Sequence, residues 1–240
     1  MRLIRALICW PLSALLYRST DILIAGFPKT GTTYLKSIIA SLLQGSQDMS
    51  VDEINEYAHE YGNWSVLKRP LDRRRKIIKT HRERNLFHIK HEKIIVTYRD
   101  PIENLISFYI YHRARRLVDA SETIVVFEEK TRFFRSHKNF YSKWNGDLIL
   151  FEDLGNADVL AMKLIGIFPE FPRKLIVETV QLFTVEKMKT KQTESFDFKR
   201  KFAKGFTFAG DSKFKQEIRE TISDLDLATL TSKKNTVYGK

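Results

Sequence analysis

The chain has 240 residues and carries 41 Lys and Arg against 29 Asp and Glu, a formal net charge of +12. Its length suits one well-packed domain and is short for two. Hydrophobic residues make up 43% and charged residues 29%, which excludes a disordered or collagen-like chain. The single cysteine, Cys9, excludes an internal disulfide and a thiolate metal cluster. The positive charge indicates an anionic partner, which can be nucleic acid, lipid or a phosphorylated small molecule.

The first 20 residues form an apolar N-terminal segment. Its core, Leu3–Tyr17, is shorter than the roughly 20 residues of a membrane-spanning helix and contains Arg5 and Pro11. A weak resemblance to a signal peptide or anchor remains an alternative. Because the first predicted strand begins near Asp21, little room is left for a cleavage site. We expect a helix that packs on the domain or touches a membrane surface peripherally, and a cytoplasmic protein.

Short apolar runs alternate with helical patterns along the rest of the chain. The predicted strands are Ile22–Gly26, Lys76–Thr80, Lys93–Tyr98 and Asp147–Phe151. Helices are predicted over Leu35–Leu43, after Asp100–Pro101 with Glu103 completing a capping box, and through about Lys189. The alternation predicts a single α/β domain with a central parallel sheet flanked by helices. The segments Gln47–Arg75 and Asp119–Trp144 are interpreted as insertions around this core.

A glycine-containing loop follows the first strand. Gly26 and Gly31 have the G-x-x-x-x-G spacing of a phosphate loop, but Thr32 stands where nucleoside-triphosphate enzymes have lysine. The lysine lies within the loop instead, at Lys29. There it would neutralise charge on a bridging oxygen without a metal. The alternative is an ordinary Gly-Thr turn between a strand and a helix.

A second candidate anion site follows the third predicted strand. Arg99 lies at the end of that strand, and Ser107 lies two turns into the next helix. A guanidinium and a hydroxyl can hold a phosphate together. The alternative is that Arg99 pairs with a nearby carboxylate and Ser107 is merely a small residue.

These segments together resemble the sulfotransferase family that uses 3′-phosphoadenosine 5′-phosphosulfate (PAPS). Phe27–Leu35 (FPKTGTTYL) resembles its 5′-phosphosulfate loop, and Tyr98–Tyr109 (YRDPIENLISFY) resembles its 3′-phosphate site. Further matches follow the family's order, namely Lys79-Thr80-His81, Leu148–Leu154 and Lys204-Gly205 followed by Gly210-Asp211. The resemblance extends from about residue 21 to residue 222, so the domain is expected to occupy residues 21–240.

The resemblance implies a P-loop-like sulfotransferase fold and a set of site residues. It places Lys29, Thr30, Gly31, Thr32 and Thr33 at the 5′ side, Tyr34 on the adenine, and Arg99, Ser107, Lys204 and Gly205 at the 3′-phosphate. His81 becomes the candidate base, and Lys29 and Lys79 stabilise developing charge. The acceptor is expected to be a hydroxyl or amine of a small molecule, lipid or glycan. No metal and no nucleic-acid partner are expected.

The sequence departs from the family at several positions. Tyr34 replaces a common tryptophan, Ala203 replaces an arginine, Val185 falls where an aromatic often covers the base, and the dimer segment of animal members is not evident. The oligomeric state and the acceptor are left open. Aromatic residues line the acceptor pocket in one interpretation and form the core in another; they are Tyr57, Tyr61, Trp64, Phe133, Phe134, Phe140, Tyr141 and Trp144.

Three other functions compete with sulfotransfer. A P-loop kinase or nucleotide hydrolase requires a lysine directly after Gly31. A non-catalytic basic module would bind nucleic acid or lipid through Arg73–Lys76 and Lys199–Lys201, although such charge runs are most often solvated. The last alternative is a nucleotide-binding relic without turnover.

Overall fold

The computed structural model describes residues 17–45, 48–60, 75–83, 90–114 and 130–183, together with residue 187. Within these ranges a parallel five-stranded sheet has the order β2-β3-β1-β4-β5. The strands are β1 (Ile22–Gly26), β2 (Ala58–Glu60), β3 (Ile77–Thr80), β4 (Lys93–Tyr98) and β5 (Asp147–Leu150). The predicted α/β class with a central parallel sheet is therefore confirmed.

Helices connect and flank the strands. They are α1 (Thr32–Leu43), α2 (Val51–Tyr57), α3 (Pro101–Ala114), α4 (Lys130–Tyr141), α5 (Ala157–Ile167) and α6 (Arg173–Leu182), with a 3₁₀ turn at Glu152–Gly155. The predicted start of α3 is present, because the Asp100 carboxylate accepts hydrogen bonds from the backbone N–H groups of Ile102 and Glu103. Among the described helices, none combines the length and apolar character needed to cross a bilayer.

Two segments interpreted as insertions contribute to the core instead. Residues 47–75 include α2 and β2, whose Ala58 and His59 are buried, and residues 119–144 include α4 with the fully buried Phe140. The strand β2 has the sequence AHE and lacks an apolar run, so its pairing with β3 decides its structure. The four predicted strands are all present, and β2 is a fifth that the sequence pattern missed.

Both faces of the sheet are covered. Ile22, Ile24, Ile77, Ile95 and Ile149 pack with α1, α5 and α6 in one continuous core. Their neighbours Leu23, Ile78 and Val96 are buried as well, and side chains alternate between the two faces of a strand. The central strands therefore read as continuous apolar runs, which is typical of parallel sheets.

The order of the strands creates a switch point beside β1. The chain passes from β1 to β2 and β3 on one side, and then to β4 on the other side. In open α/β sheets, ligands bind at the carboxyl ends of the strands where the order reverses. Gly26 ends β1 at this point, Thr80 ends β3 and Tyr98 ends β4. The residues that follow these strands are therefore brought to one edge.

Gly26 lies at this edge without space for a side chain. A Cβ built on Gly26 would overlap the Thr97 hydroxyl and the Thr32 methyl group. We predict that Gly26→Ala lowers the free energy of unfolding by about 1–3 kcal/mol through overpacking. Urea unfolding followed by tryptophan fluorescence measures this loss. The matched control is Gly155→Ala, where a Cβ meets nothing within 4 Å, so an equal loss in both variants would contradict the steric explanation.

Candidate active site

The loop between β1 and α1 adopts a backbone suited to holding an anion. Lys29 has φ 73° and Gly31 has φ 84°, so two positions of the loop lie in the left-handed region. Gly31 is also the N-cap of α1, and no side chain caps the helix there. The N–H groups of the first turn of α1 therefore face the loop with the positive end of the helix dipole.

Side chains from β4 and α4 hold this loop in place. The Thr30 hydroxyl donates to the Phe27 carbonyl at 2.7 Å and lies 2.8 Å from the Thr97 hydroxyl. The Tyr141 hydroxyl donates to the Thr97 carbonyl at 2.7 Å and accepts from the Phe27 N–H at 3.4 Å. Thr30 is fully buried, so its hydroxyl supports the turn from within the protein.

His81 follows β3 and bonds to the end of β1. Its Nδ1 lies 2.6 Å from the Gly26 carbonyl oxygen. Because a carbonyl only accepts, Nδ1 carries the proton and Nε2 keeps its lone pair. Burial and the nearby Lys79 ammonium lower the pKa of His81 to about 4. The imidazole is therefore neutral at pH 7, in the form that accepts a proton.

Two charged side chains from different elements, Glu60 and Lys36, lie near Lys79. Lys79 pairs in register with Glu60 of β2, and Lys36 of α1 donates to the Asn55 side chain at 2.7 Å. Burial lowers the pKa of Lys79, and burial with the Lys79 charge lowers the pKa of Lys36 to about 8. The Glu60 carboxylate opposes both shifts. Lys36 and Lys79 thus form a half-buried positive pair with the exposed Glu60 carboxylate beside it.

Arg99 is held at the end of β4 by several partners. Its guanidinium lies 3.9 Å from the Phe151 ring centroid, 3.7 Å from the Glu103 carboxylate, and donates to the Lys29 carbonyl at 3.3 Å. The sequence left open that Arg99 pairs with a nearby carboxylate. The pair with Glu103 is present, together with the hydrogen bond to the Lys29 carbonyl. Arg99 is 8% exposed, and Ser107 lies on the following helix, α3.

The buried His137 of α4 supports the carboxyl end of β4, where Arg99 lies. Its Nε2 lies 3.2 Å from the Arg99 carbonyl oxygen, which requires the proton on Nε2. Burial lowers the pKa of His137 to about 4. The His137 ring also packs against Tyr98 and Tyr141. This histidine therefore fixes the backbone of Arg99 and is a structural contact of α4.

The structure brings most of the sequence-predicted site residues to one edge. The loop residues 29–33, Lys79, His81 and Arg99 lie in or directly after the carboxyl ends of β1, β3 and β4, whereas Ser107 lies two turns into α3, the helix that follows β4. The Tyr34 hydroxyl donates to the Phe183 carbonyl, and its ring packs against the core. Lys204, Gly205, Val185, Ala203 and the N-terminal residues 1–16 lie outside the described residues.

Sequence reasoning missed several residues that shape this edge. They are Lys36, Glu60, Thr97, Tyr111, His137 and Leu154. The Leu154 side chain lies where a Cβ on Gly31 would stand, so only glycine fits that turn. A polar residue at the carboxyl end of a strand is the signal that points to Glu60 and Thr97, but β2 has to be recognised as a strand first.

The aromatic residues considered for an acceptor pocket divide into different roles. Tyr57 and Phe140 are buried in the core, and Tyr141 bonds to the loop. The Trp144 indole donates to the Arg82 carbonyl at 2.8 Å, one residue after His81. Tyr61 and Trp64 are outside the described residues. Across the described ranges, no group of three His, Cys, Asp or Glu residues could hold a metal ion.

Fold and site define a parallel α/β protein with a glycine-containing loop at the switch point of its sheet. The chain belongs to the sulfotransferase family, because the family model "Sulfotransferase domain" matches residues 19–225. Curated relatives include Sulfotransferase 4A1 of Mus musculus, 27% identical, and of Homo sapiens, 26% identical, each over 69% of this chain. The chain spans 59% of the length of these relatives.

Solved structures share the fold at low sequence identity. Retinol dehydratase in a complex with retinol and PAP has a TM-score of 0.62 at 15% identity, covering 92% of this chain and 84% of that one. Mouse sulfotransferase SULT7A1 complexed with PAP has a TM-score of 0.53 at 17% identity, covering 92% and 95%. These likenesses confirm the sulfotransferase fold predicted from the sequence.

The charges around His81 predict opposite effects of two substitutions. Lys79 lowers the pKa of His81 and Glu60 raises it. We therefore expect Lys79→Gln to raise the His81 pKa above its value of about 4, and Glu60→Gln to lower it. An NMR titration of the His81 ring measures both, with Glu56→Gln on the exposed side of α2 as the matched control. Shifts of the same sign in both variants would contradict this electrostatic arrangement.

Proposed function

We propose that the protein transfers a sulfuryl group from PAPS to a hydroxyl, or an amine, of a small-molecule, lipid or glycan acceptor. The observation that carries the proposal is the His81 Nδ1 bond to the Gly26 carbonyl at 2.6 Å. This hydrogen bond holds the neutral imidazole of His81 at the end of β1, where the proposed phosphate loop starts. Its Nε2 is then the atom that accepts a proton. A base and an anion loop are thereby held together by one hydrogen bond.

The residues present fit the anionic groups of PAPS. Backbone N–H groups of the α1 N-terminus, with Lys29, Thr32 and Thr33, suit the 5′-phosphosulfate. Arg99 presents a guanidinium at the neighbouring strand end, with Ser107 on α3, and suits the 3′-phosphate. Tyr34 is proposed to contact the adenine, and Lys204 and Gly205 to close on the 3′-phosphate. Thr32, 3% exposed, occupies the place where a kinase would need lysine.

The proposed reaction is an in-line displacement at sulfur. His81 Nε2 takes the proton of the acceptor hydroxyl while the acceptor oxygen forms the new S–O bond. The bond between sulfur and the bridging phosphate oxygen breaks, and its electron pair stays on 3′-phosphoadenosine 5′-phosphate (PAP). Lys29 and Lys79 stabilise the charge that develops on the leaving phosphate and on the sulfuryl oxygens.

Binding of PAPS would also adjust the basicity of His81. Positive charges on Lys79 and Lys29 contribute to lowering its pKa in the ligand-free protein. A polyanionic nucleotide placed against these lysines would offset their charges and raise the pKa of the imidazole. The imidazole is then a stronger base with the donor bound than without it, while burial, the largest cause of its low pKa, continues to act.

The proposed acceptor class is argued from the structural relatives. The structural relatives crystallised with retinol or androsterone are named for small-molecule complexes, which favours a small molecule for this chain. A cytoplasmic location and peripheral membrane contact by the N-terminal segment stay predictions. The basic runs at residues 73–76 and 199–201 are then proposed to guide acidic ligands, with no nucleic-acid partner.

Transfer of ³⁵S from labelled PAPS to a panel of phenols, alcohols, amines and glycans tests the function. Wild-type protein should label an acceptor without added Mg²⁺, and His81→Gln should lower kcat about 10²- to 10⁴-fold by removal of the base. Lys29→Ala should lower it about 10²-fold. The matched control is His91→Gln, because His91 is a buried histidine that bonds to the Asp21 carbonyl at the opposite end of β1.

Two results would contradict the proposal. Wild-type protein that neither binds PAP nor transfers label would overturn the sulfotransferase assignment. Full activity of His81→Gln with a competent acceptor would overturn the role of His81 alone. ATP turnover that requires Mg²⁺ would favour a kinase, and tight oligonucleotide binding without PAP affinity would favour a basic binding module.

The role of Arg99 is tested by comparing two nucleotides that differ in the 3′-phosphate. Wild-type protein should bind PAP more tightly than AMP. Arg99→Gln should lower the ratio of the AMP Kd to the PAP Kd about tenfold or more, because a charged hydrogen bond to the 3′-phosphate is lost. Isothermal calorimetry measures both affinities. AMP affinity reports whether the fold survives, and Arg75→Gln, at the far end of β3, is the control. Retention of the preference in Arg99→Gln would contradict the assignment.

A further inference from the structure

Lys29 is held by contacts to two elements outside its own loop. Its Nζ lies 3.7 Å from the centroid of the Tyr111 ring, and its carbonyl accepts from the Arg99 guanidinium at 3.3 Å. The backbone at Lys29 has φ 73°, a region that non-glycine residues occupy at an energetic cost. Strain of this kind persists where surrounding contacts maintain it, and it is concentrated at functional sites.

Tyr111 lies on α3, one turn after Ser107. Residues four positions apart share a face of a helix, so Ser107 and Tyr111 point to the same side of α3. The Tyr111 ring is half-buried and therefore offers a fixed surface. The Lys29 ammonium thus lies against α3, whereas the loop's N–H groups belong to the start of α1. A cation over an aromatic face is attracted by the ring quadrupole.

We propose that Tyr111 is a positioning residue for Lys29, whose ring holds the ammonium against α3 in the ligand-free protein, so that the donor nucleotide must compete with the ring for this lysine. The inference rests on the proposed function, since it concerns the same nucleotide site. Tyr111 would therefore act through Lys29, without contacting the reacting atoms itself. The ring sets how readily the site accepts the donor.

The competition has a measurable size. A cation–π contact of this geometry corresponds to about a three- to tenfold change in an equilibrium constant. Removal of the ring in Tyr111→Leu should therefore tighten PAP binding by about that factor. The kcat of sulfotransfer should stay near the wild-type value, because the lysine has left the ring once the donor is bound.

The experiment measures the Kd of PAP by calorimetry in five proteins, namely wild type, Tyr111→Leu, Tyr111→Phe, Lys29→Ala and the double variant Lys29→Ala/Tyr111→Leu. Tyr111→Phe is the matched control, because it keeps the ring and removes only the hydroxyl, and its Kd should equal that of wild type. The same Tyr111→Leu change made in Lys29→Ala should leave the Kd of that variant unchanged. A merely structural effect of Tyr111 would appear in both backgrounds, and it would overturn the proposal. Weaker or unchanged PAP binding in Tyr111→Leu would overturn it too.

A spectroscopic measurement separates this proposal from the proposed function. The ε-methylene protons of Lys29, identified by their loss in Lys29→Arg, should be shifted upfield by the ring in ligand-free protein. The shift should disappear in Tyr111→Leu, persist in Tyr111→Phe and decrease when PAP is added. An unshifted Lys29 signal in the wild type overturns the contact, whereas failure of wild-type protein to bind PAP overturns the function.

Discussion

The hydrogen bond between the Thr30 and Thr97 hydroxyls connects the phosphate loop to the neighbouring strand at 2.8 Å. It lies in a space that Gly26 leaves open, because any side chain there would displace both hydroxyls. The turn that follows β1 is thereby drawn against β4. Arg99 and the loop are then close enough for the guanidinium to bond to the Lys29 carbonyl. The geometry of both candidate anion sites, the loop at Lys29 and the strand end at Arg99, depends on this close approach of two strand ends.

A second consequence of this approach is a concentration of positive charge. Lys79 and Lys29 lie near His81, Lys36 lies near Lys79, and burial of Lys36 and Lys79 prevents water from screening their charges fully. Glu60 offsets part of this charge. This excess of positive charge is the feature that the proposed polyanionic donor would offset. The net charge of +12 thus has a local component at this edge of the sheet.

Support for the Lys29 loop and for Arg99 comes from α4 and from the segment that follows β5. Helix α4 contributes Tyr141, which bonds to both the loop and β4, and His137, which bonds to the Arg99 carbonyl. Phe151 stacks on the Arg99 guanidinium, and Leu154 fills the space beside Gly31. These residues act on the anion sites through packing, so their substitution would displace the functional groups without touching a ligand.

The sequence by itself determined the features that depend on neighbouring residues. The apolar runs of β1, β3, β4 and β5, the cap at Asp100 and the spacing of Gly26, Lys29 and Gly31 are local patterns. Resemblance to a family then predicted the sulfotransferase fold. The tertiary structure alone decided the contacts between distant segments. Pairing with β3 makes a strand of Ala58–Glu60 and places Glu60 beside Lys79, and the approach of α3 places Tyr111 at Lys29. Such contacts join residues far apart in the chain, and no spacing or periodicity encodes them.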